Sequence, residues 1–245
     1  MAVREGGYTL VELATVLGIL GVLTLTMNSA VESMQQARLY NAAQADAEAA
    51  RQALRAYVLR NKRLPCPDTS TGGDRGRSDA VCSGGSGWLP YETLGLDIPE
   101  RNRRLRYGVY RNGTIDLVDP AASSVDEPDI EGRSGLATVL DALVNAAPTT
   151  VAPWYSAAAP DPSDTGAGCA GDFPTNPAFV LVAPAADLDG SGDPAPGFDG
   201  PNRSFATGAS QCVATPARPP NNRYDDVVVA ESATTLLGWL ATSTR

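Results

Sequence analysis

Three aspartates lie close together in a glycine-rich stretch of the chain, at Asp187, Asp189 and Asp193. They take positions 1, 3 and 7 of the segment DLDGSGD, which resembles the opening of a calcium-binding loop. An EF-hand would need a bidentate Glu at position 12, where Phe198 stands, and Asp199 follows one residue later. The alternative is an acidic turn whose aspartates bond nearby backbone amides. Calcium is therefore the only cofactor that the sequence suggests.

Another acidic motif is the pair of Asp225 and Asp226, which precedes the apolar run VVVA. Paired carboxylates act as acid and base in glycoside hydrolases. Adjacent residues of a strand point to opposite faces, however, so these two side chains are not expected to act together. The pattern favours a role in capping or in anchoring a loop.

Histidine is absent from the 245 residues, and 28 acidic against 19 basic residues give a formal net charge of −9. The missing histidine excludes Ser-His-Asp and Cys-His nucleophiles and the commonest zinc sites. The acidic charge argues against nucleic acid as the main partner. No GxSxG nucleophile motif occurs either. We therefore expect a protein that is not an enzyme, and a membrane-anchored hydrolase is the least favoured function.

The four cysteines are Cys66, Cys82, Cys169 and Cys212. No CxxC spacing occurs among them, which disfavours a metal site built from thiol pairs. Four cysteines allow three disulfide connectivities. We predict Cys66–Cys82 and Cys169–Cys212, because each bond would then close a loop that is rich in glycine and proline. The chain-entropy estimate for the two bonds is about 3 and about 4 kcal/mol of stability.

The most apolar part of the chain runs from Tyr8 to Val31, and its only charged residue is Glu12. At about 1.5 Å per residue a helix of this length spans roughly 36 Å, which is enough to cross a bilayer. A carboxylate at that depth costs at least about 2.5 kcal/mol and usually signals function. An uncleaved anchor would explain the apolar run alone, but neither Glu12 nor the preceding Gly6 and Gly7. A secretory signal would instead place its small residues after the apolar core.

The segment GGYTLVEL, from Gly6 to Leu13, resembles the prepilin cleavage and methylation site of type IV pilins and type II secretion pseudopilins. The resemblance implies cleavage by a prepilin peptidase after Gly7 and N-methylation of Tyr8. It also implies that Glu12 stays in the apolar helix and takes part in assembly. Tyr8 differs from the Phe or Met usual in the family, and the kinking proline that is common in its helix is missing here.

The same resemblance predicts function, location and partners. It implies a structural subunit of a pilus or a secretion pseudopilus, with other subunits, the prepilin peptidase, the membrane and the inner-membrane assembly platform as partners. Arg4 in the leader predicts a single-pass inner-membrane protein with a cytoplasmic N-terminus and a periplasmic head, which later joins a periplasmic or cell-surface filament. Such a head lies where thiols oxidise. The mature chain of 245 − 7 = 238 residues is large for a major subunit, so we expect a minor one. The alternative is a binding or adhesion module at a filament tip.

The predicted fold is pilin-like and of the α+β class. A long N-terminal helix, its first half transmembrane, packs on a small antiparallel sheet in a loop-rich, disulfide-linked head. The predicted parts are a leader over 1–7, a transmembrane and filament-core helix over 8–31, its amphipathic continuation over 32–64, and the head over 65–245. We expect the helix to reach about Asn61, with Leu54, Tyr57 and Val58 as its apolar stripe.

The head is predicted to contain strands separated by turns. A hairpin joins 105–110 to 114–118 through the Asn112-Gly113 pair, which suits a tight turn. Further strands are expected over 177–182 and 224–230, and helices over 136–147 and 233–242. The basic run of Arg101, Arg103, Arg104 and Arg106 is predicted to be a solvated loop and strand edge.

Overall fold

The computed structural model describes residues 9–122, 135–156, 169, 173–188 and 197–243, without the side chains of 24–30 and 32. The chain divides into two compact units, Met1–Leu39 and Tyr40–Arg245. The boundary falls within the first helix.

Helix α1 covers Leu10–Asn61, a length of 52 residues. Alanine, glutamine, glutamate, arginine and leucine, all good helix formers, dominate its second half. The helix ends where Lys62 takes a positive φ of 54°, and the Asn61 side-chain amide donates to the Tyr57 carbonyl at 2.9 Å. The predicted end near Asn61 is confirmed.

The predicted transmembrane helix over 8–31 is wrong. Among the described residues, no helix has both the length and the apolar character that a membrane crossing requires. This finding contradicts the predicted single-pass inner-membrane location. It also contradicts the membrane-spanning half of the predicted fold.

The Tyr40–Asn61 part of α1 belongs to the head and buries one stripe of side chains. The buried residues recur at helical spacing: Ala43, Ala47, Ala50, Leu54, Tyr57 and Val58. They join one core with buried residues of the larger sheet, such as Tyr107, Phe179 and Leu181. The predicted stripe of Leu54, Tyr57 and Val58 is therefore part of the core.

The larger sheet has four antiparallel strands in the order β1-β2-β5-β7. These strands are β1 (Ser86–Trp88), β2 (Arg106–Val109), β5 (Phe179–Ala183) and β7 (Val227–Glu231). In the β2–β5 pair Tyr107 lies opposite Leu181, and in the β5–β7 pair Leu181 lies opposite Val229. All five residues of β5 are buried, as expected for the apolar run FVLVA in a central strand.

A smaller three-stranded sheet has the order β4-β3-β6. Its strands are β3 (Trp154–Ser156), β4 (Pro174–Thr175) and β6 (Cys212–Val213). The β3–β4 pair is antiparallel and the β3–β6 pair is parallel, so the head holds a mixed sheet besides the predicted antiparallel one.

The remaining helices are shorter than α1. They are α2 (Tyr91–Leu94), α3 (Gly135–Val144), α4 (Pro201–Ala206) and α5 (Ala233–Ser243), with 3-10 turns at Thr71–Gly73, Arg101–Arg103 and Pro120–Ala122. Both predicted helices of the head are present as α3 and α5. The described part of the chain is thus α+β, as predicted.

The predicted second strand of the hairpin, over 114–118, is not a strand. Only one bridge, between Arg111 and Asp116, extends beyond β2. The Asn112 carboxamide oxygen accepts the amides of Thr114 and Ile115 at 2.8 and 2.7 Å, and Asp116 Oδ1 accepts those of the two residues at 118 and 119. Side chains therefore satisfy backbone donors that a sheet would otherwise use.

The arginine run was predicted to be solvated, and this is wrong for Arg106. Arg106 lies in β2 and is 7% exposed, with its guanidinium 4.5 Å from the centre of the Trp88 ring. Burial lowers its pKa to about 10. Arg103 does lie near the surface, where it pairs with Asp46 at 2.7 Å.

The two disulfides are Cys66–Cys82 and Cys169–Cys212. This is the predicted pairing, and among the described residues no cysteine is free. The second bond ties residue 169 to strand β6, in the smaller sheet.

Candidate functional site

The predicted processing residues Gly7 and Tyr8 lie outside the described residues, which begin at Thr9. The predicted assembly residue Glu12 is described and lies in the first turn of α1. Its side chain is exposed.

Glu12 and Thr9 form a capping box at the start of α1. Glu12 Oε2 accepts hydrogen bonds from the Thr9 amide at 2.9 Å and from its hydroxyl at 3.0 Å, while Thr9 Oγ1 accepts from the Glu12 amide at 3.3 Å. These bonds satisfy amide groups that have no partner within the helix. The bond from the Thr9 amide, followed by that from its hydroxyl, lowers the pKa of Glu12. The sequence analysis missed this role, although Thr-x-x-Glu before an apolar run is its usual signature.

Most side chains on either side of Glu12 in the first turns of α1 are apolar and exposed. Nine large apolar residues of this segment are at least half exposed: Leu10, Val11, Leu13, Val16, Leu17, Ile19, Leu20, Val22 and Leu23. They occupy all sides of the helix, because they recur at every spacing from one to four. A helix that is apolar all round is normally buried against other structure. We call residues 10–23 the apolar segment.

The predicted calcium ligands are only partly described. Asp187 follows strand β5 and is exposed, whereas Asp189 and Asp193 lie outside the described residues. The loop prediction is therefore neither confirmed nor contradicted at those two positions.

A different set of aspartates comes together in the head. Asp199, Asp225 and Asp226 each place a carboxylate oxygen within 4.8 Å of the other two. All three residues are buried, at 0%, 1% and 4% exposure. We call them the aspartate cluster.

Local backbone structure brings the aspartate cluster together. Asp199 lies in a turn between Gly197 and Gly200, whose φ angles of 82° and 52° favour glycine. Asp225 and Asp226 precede β7, which begins at Val227, so the alternation of strand side chains does not apply to them. The expectation that their side chains point to opposite faces was wrong for this reason, since a carboxylate oxygen of each lies within 4.8 Å of the other.

Most oxygens of the aspartate cluster accept backbone hydrogen bonds. Asp199 accepts from the amides of Leu188 and Asp225, both at 3.1 Å, and Asp225 Oδ1 accepts from the Ala186 amide at 3.0 Å. The predicted loop-anchoring role of Asp225 agrees with this bond. The start of the DLDGSGD segment is thereby fixed to the cluster.

Asp226 differs from its neighbours in having one oxygen without a partner. Its Oδ2 accepts from the Asp199 amide at 2.9 Å and from the Asn202 side-chain amide at 2.8 Å. Its Oδ1 is buried and has no hydrogen-bond partner among the described residues. Burial, and then the negative charge of Asp199, raise the pKa of Asp226 well above its ordinary value.

Comparison with protein-family models, with characterised proteins and with solved structures found no match to this chain. The likeness of its N-terminal motif to the prepilin site therefore stays a prediction. The aspartate cluster consists of three buried carboxylates, and such a group suits a proton or a cation.

Proposed function

We propose that this chain is a structural subunit of a filament of the pilus or pseudopilus kind. A prepilin peptidase cuts it after Gly7, and the apolar segment then packs against the same segment of other subunits. One observation carries the proposal: nine large apolar side chains lie exposed on all sides of one helix.

The hydrophobic effect explains why such a segment favours assembly. Each square ångström of apolar surface removed from water contributes about 25 cal/mol. Because side chains on every side of the helix are apolar, one neighbouring helix cannot cover them all. A bundle of helices from several subunits buries the whole circumference, as the core of a helical filament does.

Glu12 would set the register of this packing. Cleavage after Gly7 leaves an α-amine on Tyr8, which is cationic at neutral pH. A carboxylate buried among apolar helices is costly unless it is paired. An incoming Glu12 can meet the Tyr8 amine of a neighbouring subunit, and this pairing favours one axial position over others.

Processing is tested first by mass spectrometry of the chain co-expressed with a prepilin peptidase. We expect a mature protein that begins with N-methylated Tyr8. Gly7→Val should leave the full precursor, while the matched change Gly6→Val should still be cut, because Gly6 does not carry the scissile bond. A mature chain that still begins at Met1 contradicts the proposal.

Assembly is tested by a charge placed in the apolar segment. Leu17→Asp should fold and form both disulfides but fail to enter filaments, because a carboxylate would face the neighbouring helices. The control is Ala56→Asp, an exposed position in the head part of α1. Filaments that take up Leu17→Asp as well as the parent would contradict packing through this segment. In parental filaments, a stoichiometric band indicates a major subunit and a trace band a minor one.

A further inference from the structure

We propose that the aspartate cluster binds one calcium ion between Asp199, Asp225 and Asp226. The site is separate from the apolar segment and does not depend on the proposed function. It also differs from the ligand set of Asp187, Asp189 and Asp193 that the sequence suggests.

The spacing of the three carboxylates suits one ion. Their oxygens lie within 4.8 Å of one another. Calcium–oxygen distances are about 2.3–2.6 Å, so a single ion between the three residues can reach all of them. Carboxylate oxygens are the ligands that hard divalent cations prefer.

The partnerless oxygen of Asp226 points to a ligand independently of this spacing. A buried carboxylate oxygen without a hydrogen bond is costly, and buried polar groups are nearly always satisfied. Asp226 is 4% exposed, and its Oδ1 lacks a partner among the described residues. Its Oδ2 is already held by two donors, which fixes the direction of the carboxylate. A cation at Oδ1 would complete this side chain.

The charge of the site favours a divalent cation over a proton alone. Three buried carboxylates repel one another, and Asp226 forms no ion pair within the described part of the chain. A proton on one residue would neutralise one charge, whereas a calcium ion neutralises two and coordinates all three residues. Calcium accepts six to eight oxygens in irregular geometry, so water can complete its shell.

A cleft of about 490 Å³ lies beside the site, and its lining includes Asp226. Other lining residues are Tyr40, Gln44 and Glu48 of α1, together with Arg218 and Tyr224. The aspartate cluster therefore lies next to an open cleft of the head.

The test measures melting of the purified full-length chain after treatment with a chelator. Calcium chloride at about a hundredfold excess over Kd should raise Tm by about 5–10 °C, because the ion binds only the native state. The shift should shrink as the pH is lowered, since protons compete for the carboxylates. Magnesium chloride should give a smaller shift, because magnesium demands near-octahedral geometry.

Asp226→Asn is the decisive variant. Asn keeps an acceptor for the Asp199 and Asn202 donors but places an amide where the cation would bind, so the calcium shift should disappear. Asp141→Asn, an exposed aspartate of α3, should keep the full shift. If Asp226→Asn does not fold, Asp225→Asn replaces it, since Asn there can still accept from the Ala186 amide.

Three results would overturn the proposal. A parent whose Tm does not respond to calcium would assign the cluster to a bound proton. A calcium shift that survives in Asp226→Asn would place the ion elsewhere. Equal shifts with magnesium and calcium would overturn the choice of calcium.

Discussion

The two parts of helix α1 share one secondary structure but differ in whether their apolar side chains are exposed or buried. In the apolar segment, large apolar residues occupy every side of the helix and are exposed. From Tyr40 to Asn61, small and large apolar residues occupy one stripe and are buried in the head. The head part finds its partner within the chain, because a stripe can be covered by one sheet. The apolar segment needs partners on all sides, and the described residues of its own unit do not provide them.

Charged residues of the two parts also differ in exposure and in the distance to their partners. Glu12 is exposed and caps the start of α1. In the head, Glu231 is 1% exposed and pairs with Arg55 of α1 at 2.6 Å, while the Arg55 guanidinium also lies 5.5 Å from the centre of the Trp239 ring. Glu12 thus contacts only a neighbouring residue of its own helix end in the bonds described above, whereas the buried pair of Arg55 and Glu231 joins α1 to β7 and α5.

The sharpest test of this contrast is a matched pair of truncations. Leu54→Ala should lower the free energy of unfolding by about 4 kcal/mol, because Leu54 is fully buried and its loss leaves a cavity. Leu13→Ala removes the same atoms from an exposed position and should leave the unfolding of the head unchanged. Denaturant titration measures both. Equal losses in the two variants would mean that the apolar segment already packs within the chain.

A smaller effect is expected from the buried ion pair. Arg55→Met should lower the free energy of unfolding by about 3 kcal/mol. The change leaves the buried Glu231 with Arg51, at 3.9 Å, as its remaining ion-pair partner among the described residues. Adding Glu231→Gln should recover part of this loss, because no buried charge then remains unpaired. Arg60→Met, at an exposed position of the same helix, is the control and should change stability by less than about 0.5 kcal/mol. A double variant no more stable than Arg55→Met alone would show that charge is not the cause.

The smallest effect concerns the capping box, and it depends on pH. The pKa of Glu12 is lowered in the helix, so its capping contribution is present above the ordinary value of 4.5 and is lost as pH falls through the lowered value. The Thr9 amide resonance should therefore titrate with a midpoint below 4.5. Glu12→Gln keeps the acceptor and should abolish the titration. A midpoint at or above 4.5 would contradict the capping geometry.

The same variant separates the two roles of Glu12 in filaments. Glu12→Gln preserves the cap but removes the charge, whereas Glu12→Val removes both. If pairing with the Tyr8 amine governs assembly, both variants should fail to enter filaments. If capping alone matters, Glu12→Gln should assemble like the parent.

Features that depend on neighbouring residues could be predicted from the sequence alone. The end of α1 at Asn61, the stripe of Leu54, Tyr57 and Val58, and helices α3 and α5 follow from local periodicity and composition. The disulfide pairing also agreed, because each bond closes a loop between neighbouring cysteines. The capping box was equally readable, since Thr9 and Glu12 are three residues apart.

Other features were decided by the tertiary structure. Among the described residues, no helix has the length and apolar character that a membrane crossing requires. Arg106 is buried because β2 is a central strand, paired with β1 on one side and β5 on the other. The aspartate cluster joins a turn at Asp199 to Asp225 and Asp226, which precede β7. Nothing in the local sequence relates Asp199 to the pair of Asp225 and Asp226, because their approach depends on where β7 begins and how β5 pairs with it. Local preferences fix helices and turns, whereas contacts between distant residues exist only once the chain has packed.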